Sequence, residues 1–322
     1  MFISGLEKLQ DLTSTAEESL AEAEKVMSSL RETCGIKAVV NISDGIQQVI
    51  ENMEYRIKHP GQVKGIPTGY QKLDRVLDGL QDTAMIVIGA RPAVGKTSFM
   101  TNILLNIANS GIPVGMFSLE MSKVQILERI MFGQSGIDPM ALRRGQKLTT
   151  YQQGAFTGAV RRVKGIPFFV DDRPALRIDQ IQATARRMVA DHGVRCIGVD
   201  YLQLANPTGR QASREREVSE ISAGLKALAK ELNIPVIVLA QLNREVEKRA
   251  GKDAGVPRVS DLRDSGSIEQ DADQIMLLYR PFASDRDADP KEAKVIIGKN
   301  RFGSTGHINL EWDAAATTYR EV

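Results

Sequence analysis

A short segment of the chain carries the residue types and spacing of a phosphate-binding site. The apolar run 85–89 is followed by Ala-Arg-Pro-Ala-Val-Gly-Lys-Thr-Ser, which predicts a strand, a loop and a helix that begins near Lys96. The first N–H groups of a helix lack partners within the helix, and its dipole is positive there, so anions bind well at that end. The residues expected to surround the phosphates of a nucleotide are Ala90, Arg91, Pro92, Ala93, Val94, Gly95, Lys96, Thr97 and Ser98.

Within this phosphate loop, Lys96 is expected to contact the terminal phosphates, and the Thr97 hydroxyl is expected to hold Mg²⁺. The usual pattern has glycine six residues before the lysine, where this chain has Ala90, with Gly89 one step earlier. That departure adds only one methyl group. The alternative interpretation is an ordinary turn between a strand and a helix.

Two further apolar runs end in a carboxylate. Residues 197–200 end in Asp200, and residues 116–120 end in Glu120. In a parallel sheet both ends open onto one crevice. Asp200 is then expected to support Mg²⁺ through water, and Glu120 to act as general base on the attacking water, a role worth about 10²–10⁴-fold in rate. The alternative is a turn or capping role for each, which is less attractive after a phosphate loop, so the predicted chemistry is ATP hydrolysis.

The hydrophobic pattern predicts the elements that position these residues. After Gly61, short apolar runs alternate with helical segments, which is typical of a parallel sheet covered on both faces. The last three strands follow one another with short polar connections, which favours an antiparallel extension. Strands are predicted at 84–89, 114–119, 167–170, 196–200, 236–240, 274–279, 294–298 and 307–312, and helices at 96–108, 123–132, 149–163, 178–191 and 215–232.

The first sixty residues have a different pattern, with two amphipathic helices and no strand. They are predicted at 15–31 and 44–58, the second with Ser43 as its N-cap and Pro60 ending it. Its apolar stripe consists of Ile46, Val49, Ile50, Met53 and Ile57.

Composition excludes several classes of protein. The chain has 322 residues, with 42 Lys+Arg and 40 Asp+Glu, so its formal charge of +2 does not by itself indicate nucleic-acid binding. No apolar run is long enough to span a membrane. Two cysteines and three histidines argue against a disulfide scaffold or a zinc site and favour a reducing cytosol.

Seven motifs together resemble replicative DNA helicases of the DnaB type. A RecA-type recombinase shares the first motifs but lacks the string at 260–273 and the run Tyr-Leu-Gln-Leu at 201–204. The motifs lie at residues 65–70, 90–97, 117–121, 199–204, 240–244, 260–273 and 299–301.

The resemblance implies an α/β fold of the RecA-like P-loop NTPase type. Its mostly parallel central sheet is covered by helices, carries antiparallel C-terminal strands and follows an all-α N-terminal segment. Residues 1–35 are then the remnant of a helical domain, 36–60 a linker with an amphipathic helix, and 61–322 the motor domain. The family's usual N-terminal domain is longer, so this chain is expected to be truncated or naturally shortened.

The resemblance also implies a hexameric ring whose ATP sites lie between subunits. Gln241 then senses the terminal phosphate, and a neighbouring subunit inserts Lys299 and Arg301 against it. A rigid guanidinium suits charge spread over phosphoryl oxygens, and such a finger is worth about 10³–10⁵-fold in related reactions. A solvated strand end is the alternative for these two residues.

Loops that face the channel of the ring are expected to bind one DNA strand. They are basic and contain no interleaved aromatic residue, so we expect contacts to the backbone that tolerate any sequence and weaken with salt. A solvated loop is the alternative, and the role of Arg210, Arg214 and Arg216 stays open between the channel and a helix start. The expected DNA-binding residues are Arg244, Lys248, Arg249, Lys252, Arg263, Asp264 and Gly266.

The sequence thus predicts an ATP-dependent replicative DNA helicase that moves 5′→3′ on single-stranded DNA and unwinds the duplex at the fork. Primase and a helicase loader are the implied partners, and the cytoplasm of a bacterium or phage-infected host is the implied location. Two alternatives remain, a RecA-like strand-exchange ATPase and an ATP-binding ring that serves as an assembly scaffold.

Overall fold

A computed structural model describes residues 41–200, 213–243, 246, 249, 255–262, 266–283 and 285–322. The chain divides into two compact units between Gln62 and Val63, and each is described by itself. The helix predicted at 15–31 lies outside the described residues. In the part of the chain that is described, no helix is long and apolar enough to cross a membrane.

The described part of the first unit is a 3₁₀ turn, Ile42–Gly45, followed by helix α1, Ile46–Lys58. The side chain of Asn41 accepts a hydrogen bond from the Ser43 N–H at 3.0 Å and caps the turn. The prediction of Ser43 as the N-cap was therefore wrong, because a 3₁₀ turn precedes the helix. The helix ends at Lys58, as the proline at 60 predicted.

The second unit is built on one nine-stranded sheet in the order β3-β2-β4-β5-β1-β6-β7-β8-β9. Its strands are β1 Met85–Ala90, β2 Val114–Ser118, β3 Phe168–Asp171, β4 Cys196–Asp200, β5 Val236–Gln241, β6 Gln274–Tyr279, β7 Glu292–Asn300, β8 Gly306–Asp313 and β9 Thr318–Glu321. Its described helices are α2 Gln71–Leu77, α3 Lys96–Asn109, α4 Lys123–Ser135, α5 Pro139–Arg143, α6 Thr150–Lys164, α7 Ile178–His192, α8 Arg214–Leu232 and α9 Gly266–Asp271.

The sheet changes direction at β6. Strands β1 to β6 are mutually parallel, and β6 then pairs antiparallel with β7, which starts the antiparallel run β7-β8-β9. The predicted antiparallel extension is confirmed, with β6 as the strand common to both parts. The prediction missed β9, whose four residues are too few to show a period.

Two hydrophobic cores lie against the sheet, one containing α3 residues and the other residues of α7 and α8. All six residues of β1 are buried, which explains its continuous apolar sequence. Gly198 in β4 allows α3 to approach, since a Cβ there would lie 2.8 Å from the Leu104 side chain and 2.9 Å from the Met100 sulfur. This close contact sets the position of the helix that begins at Lys96.

Candidate nucleotide-binding site

The phosphate loop connects the end of β1 to the first residue of α3, as predicted. Gly95 caps the helix with a left-handed backbone, φ 102°, and Ala93 also has a positive φ of 63°. A Cβ on Gly95 would lie 3.0 Å from the Tyr319 hydroxyl and 3.3 Å from the Trp312 ring, so glycine is required by space as well as by conformation. The tight turn leaves the helix N-terminus at the carboxyl edge of the sheet, where a phosphate group fits.

A group of aromatic residues packs against the phosphate loop, and the sequence analysis did not predict this contact. The Tyr319 hydroxyl donates a hydrogen bond to the Val94 carbonyl of the loop. Burial raises the pKa of Tyr319 above its ordinary value, so the hydroxyl keeps the proton that it donates. Its ring packs on Trp312, with centroids 4.7 Å apart, and on Phe99, with centroids 5.5 Å apart. The loop is thus fixed by β8 and β9, about 220 residues later in the sequence.

The two predicted carboxylates meet beside this loop. Asp200 pairs with Ser118 across β4 and β2, and Glu120 is exposed two residues beyond that point. Asp200 is fully buried, and neither of its carboxylate oxygens has a hydrogen-bond partner among the residues that the structure describes. Burial raises its pKa, while the nearby Thr97 hydroxyl and Lys96 oppose that shift.

Two unsatisfied carboxylate oxygens beside a threonine hydroxyl suit a hard divalent cation. Such cations prefer oxygen ligands, and buried polar atoms are rarely left without partners. Asp200 and Thr97 therefore fit the predicted Mg²⁺ site.

Two cations balance these acids. Burial lowers the pKa of Lys96, and the charges of Asp200 and Glu120 act in the opposite direction. The same three effects act on the pKa of Arg129 on α4. Arg129 was not predicted to belong to the site, because only its proximity to both carboxylates in the fold reveals it.

Gln241 is the last residue of β5 and pairs with Ala90 in the neighbouring strand β1. The amide is thus placed at the entrance of the phosphate loop. Arg91 of the loop donates a hydrogen bond to the Leu242 carbonyl at 2.7 Å, and Leu242 forms a bridge with Leu262. The phosphate loop is therefore linked to both segments in which the DNA-binding residues were predicted.

The structure describes only part of that predicted DNA-binding set. Arg249 donates hydrogen bonds to the Val256 carbonyl at 2.8 Å and to the Asp261 carboxylate at 2.6 Å, and its side chain is 23% exposed. Its guanidinium is thus held at the base of the loop. Gly266 is exposed at the start of α9. The predicted residues Arg244, Lys248, Lys252, Arg263 and Asp264 lie outside the described residues.

The three arginines of undecided role are also only partly visible. Arg210 lies outside the described residues, and the side chain of Arg214 is not described. Arg216 is exposed in the first turn of α8, and its N–H is 3.4 Å from the Ser213 hydroxyl that caps that helix. The start of a helix is thus the observed location of Arg216.

Lys299 and Arg301 lie near the amino ends of the parallel strands, whereas the phosphate loop lies at their carboxyl ends. Lys299 donates to the Glu269 carbonyl, and Arg301 contacts the Asp273 carboxylate at 3.2 Å and the Gln270 carbonyl at 2.8 Å. The Asp273 N–H bonds to the Met85 carbonyl at the first residue of β1. Because β1 continues for five more residues to Ala90, about 17 Å separates this point from the phosphate loop of the same chain.

The order of the parallel strands, the loop after β1 and the carboxylates after β2 and β4 define a RecA-like α/β fold with a phosphate-binding loop. The family model described as the DnaB-like helicase C terminal domain matches residues 65–321. The chain belongs to this family.

Individual relatives and solved structures agree. The chain is 41% identical over 294 residues to the replicative DNA helicase DnaB of Geobacillus stearothermophilus, a match that covers 90% of this chain and 64% of that protein. It is 40% identical over 297 residues to the replicative DNA helicase DnaC of Bacillus subtilis, with 91% and 64% covered. The chain thus spans about 64% of the length of these two relatives.

Two solved structures share the fold. One is an ATPase domain, which superposes with a TM-score of 0.82 at 30% identity and covers 88% of this chain and 99% of that one. The other is a DnaB-like replicative helicase, solved in a study of its interactions with primase, which superposes with a TM-score of 0.83 at 28% identity and covers 99% and 75%.

Proposed function

We propose that this chain is the motor of an ATP-dependent replicative DNA helicase, a homo-hexameric ring that moves 5′→3′ on single-stranded DNA and unwinds the duplex at the fork. One observation carries the proposal. Each chain has a phosphate loop with its carboxylates at the carboxyl ends of the parallel strands. The pair Lys299 and Arg301 lies about 17 Å away, near their amino ends. The two groups are too far apart to act on one nucleotide within a single chain. Two neighbouring copies can form one ATP site, with the phosphate loop from one copy and Lys299 and Arg301 from the other.

The residues at the carboxyl ends of the parallel strands each have a separate role in hydrolysis. The backbone of residues 90–98 and the Lys96 ammonium bind the phosphates, and Thr97 and Asp200 hold Mg²⁺, which neutralises phosphate charge when bound. Glu120, which is exposed to solvent, takes a proton from the attacking water. Gln241 contacts the terminal phosphate, and this contact is proposed to change the position of the loop that starts at Leu242.

A neighbouring copy supplies the remaining positive charge. Its Arg301 guanidinium, 51% exposed, and its Lys299 ammonium are placed to meet the charge that develops on the phosphoryl oxygens. Burial lowers the pKa of Lys299, and the positive charge of Arg301 lowers it further, so a phosphate partner would favour its charged form.

Helix α1 is proposed as the linker element of the ring. Its apolar stripe is exposed, with Ile46 at 57%, Met53 at 60% and Ile57 at 76%. The second unit carries an apolar groove between α4, α6 and the edge strand β3, in which Val124 is 57% and Leu127 is 48% exposed. We propose that α1 of one copy lies in this α4–α6 groove of the next copy, where each buried apolar side chain contributes about 1.5–3 kcal/mol.

The loops that follow β5 and precede α9 are proposed to bind the DNA strand in the channel, using the basic residues predicted there. The link from Arg91 to Leu242 and Leu262 supports this, because it joins the phosphate loop to both loops. Primase, a helicase loader and a cytoplasmic location in a bacterium or phage-infected host complete the proposal. Primase is supported by the similarity to a DnaB-like helicase studied with primase.

ATPase rates with and without single-stranded DNA, together with particle symmetry, test the proposal most directly. A six-subunit ring, stimulation by DNA and displacement of an annealed strand are expected. Open filaments on DNA without strand displacement would instead favour a strand-exchange ATPase. A slow ATPase that DNA does not change would favour a scaffold.

Mixed rings test whether the site is shared between copies. Lys96→Ala and Arg301→Ala should each abolish turnover, the second with nucleotide affinity nearly intact. Rings that contain both variants should recover part of the activity, because some interfaces then combine an intact phosphate loop with an intact Arg301. If no mixing ratio restores turnover, Arg301 does not act on a neighbouring copy.

The docking of α1 is tested by charge insertion. Met53→Asp on α1 and Leu127→Asp in the groove should each shift the hexamer towards smaller species in light scattering. Tyr151→Asp is the matched control, because Tyr151 is 85% exposed on α6 and does not line the groove. An unchanged hexamer in both the Met53→Asp and the Leu127→Asp variants would reject the linker interpretation.

A further inference from the structure

Asp273 is a buried carboxylate that joins three elements of the second unit at the edge opposite the phosphate loop. Its side chain is 5% exposed. One oxygen accepts hydrogen bonds from the Met85 N–H at 2.8 Å and the Lys226 ammonium at 2.6 Å, and the other oxygen faces Arg301 at 3.2 Å. Its main chain is bonded as well, since its N–H donates to the Met85 carbonyl and its carbonyl accepts from the Arg301 N–H, both at 2.9 Å.

The two cations at Asp273 differ in how firmly they are held. Lys226 is 15% exposed and also donates to the Thr83 carbonyl at 3.0 Å, so it is fixed in the interior. Arg301 is 51% exposed and its second anchor is the Gln270 carbonyl on α9. If Arg301 leaves, Asp273 keeps Lys226 and the Met85 N–H, so no buried charge is stranded.

This arrangement gives Arg301 a fixed starting position from which it can depart. A free arginine side chain samples many rotamers, and fixing it costs conformational entropy. Asp273 and the Gln270 carbonyl hold the guanidinium at the protein surface before a nucleotide arrives.

We propose that Asp273 is a positioning residue that holds Arg301 ready for the nucleotide of the neighbouring copy, with Lys226 as its permanent counter-ion. The proposal rests on the proposed function of Arg301 across the subunit interface. Asp273 lies about 17 Å from the phosphate loop of its own chain and would act on the neighbour's nucleotide only through Arg301. Its effect is therefore expected on turnover and not on nucleotide binding.

Mixed rings isolate this role. The donor chain carries Lys96→Ala, so its own site is inactive and it contributes only Arg301; the acceptor chain carries Arg301→Ala. Asp273→Asn is added to the donor only, where it places an amide N–H₂ or a neutral oxygen opposite the guanidinium. Since misplacing a reacting group by about 1 Å can cost roughly 100-fold, kcat of the mixed ring should fall about 10- to 100-fold with KM for ATP unchanged.

Asp171→Asn in the donor is the matched control. The Asp171 side chain is similarly buried, at 8% exposed, and its partner Arg173 is similarly exposed, at 55%, but the pair lies at the end of β3. The control ring should recover as much activity as the unmodified donor. Light scattering and thermal unfolding check that each donor folds and assembles.

A second variant keeps the test valid if Asp273→Asn does not assemble. Asp273→Asn with Lys226→Met removes both buried charges and keeps most of the length of the lysine side chain, and it should show the same loss of kcat. Equal recovery with modified and unmodified donors would overturn the role of Asp273 while leaving the shared site intact. No recovery with the unmodified donor would overturn the shared site, and the proposal with it.

Discussion

Asp200 and Asp273 are both buried carboxylates at the ends of parallel strands. They lie at opposite ends of those strands and differ in whether their oxygens are hydrogen-bonded. Asp200, at the carboxyl end of β4, has no hydrogen-bond partner for either oxygen within the described ranges. Asp273, before the amino end of β6, is bonded by a backbone N–H and two cations. Burial disfavours the Asp200 charge more than the nearby Thr97, Lys96 and Arg129 favour it, which indicates a site built for a ligand that brings further positive charge.

The difference separates two ways in which a carboxylate would serve the proposed shared ATP site. The oxygens of Asp200 have no hydrogen-bond partner among the described residues, and in the proposed function a metal ion would complete them. Asp273 is complete within the chain and uses its charge to hold another side chain in place. Stability and function are therefore opposed at Asp200 and aligned at Asp273, and the following changes test that contrast.

Removing the carboxylate of Asp273 should have the largest effect on stability. Asp273→Ala leaves the Lys226 ammonium and the Met85 N–H without their partner, and breaking a buried pair in this way costs about 3–5 kcal/mol. Urea unfolding of the protein measures the loss. The variant with Lys226→Met as well should recover most of it, and a double variant as unstable as the single one would contradict the pairing.

Asp200→Asn should change activity and stability in opposite directions. Turnover should fall about 10- to 100-fold, because the residue orients the metal. In metal-free buffer the melting temperature should rise, by about 2–4 °C for each kcal/mol gained, because burial disfavours the Asp200 charge more than Thr97, Lys96 and Arg129 favour it. Calorimetry in EDTA checks this, and a lower melting temperature would show that the carboxylate has a stabilising partner.

Tyr319→Phe should have a moderate effect on the support of the phosphate loop. It removes the hydrogen bond to the Val94 carbonyl but keeps the packing on Trp312 and Phe99, so unfolding should be easier by about 0.5–1.5 kcal/mol. ATP affinity should weaken with it. Tyr151→Phe on α6, which removes a hydroxyl from an exposed tyrosine, is the comparison variant. An unchanged ATP affinity in Tyr319→Phe would show that the aromatic group does not affect nucleotide binding.

Asp171→Asn should have the smallest effect, at most about 1 kcal/mol, because its partner Arg173 is half exposed. Burial tends to raise the pKa of Asp171, but the hydrogen bonds and charge of Arg173 outweigh it and the pKa lies below the usual value. The stabilisation is therefore present above the ordinary aspartate pKa and is lost as pH falls through the lowered one. Unfolding measured from pH 7 downwards should show a difference from the unchanged protein that is largest at pH 7 and shrinks as Asp171 is protonated.

Local patterns explain why much of the fold was predictable. A strand buried on both faces needs a continuous apolar run, as in β1, β4 and β5, and a helix such as α7 shows its period over fifteen residues. The short elements α2, α5, α9 and β9, of four to seven residues, have no room for a period and were missed. The phosphate loop, Asp200 and Glu120 were found because strand ends and their spacing are local properties.

By itself, the amino-acid sequence determined the phosphate loop, the strand-end carboxylates and the alternation of strands and helices, because each depends on residues close together in the chain. Only the tertiary structure decided which distant residues meet. The Tyr319 hydroxyl bonds to the Val94 carbonyl, and Arg129 lies near Asp200. Arg301 contacts Asp273, about 17 Å from the phosphate loop of the same chain. Such contacts join segments up to 225 residues apart, and no local pattern records them, since they arise only when the sheet order brings those strands together.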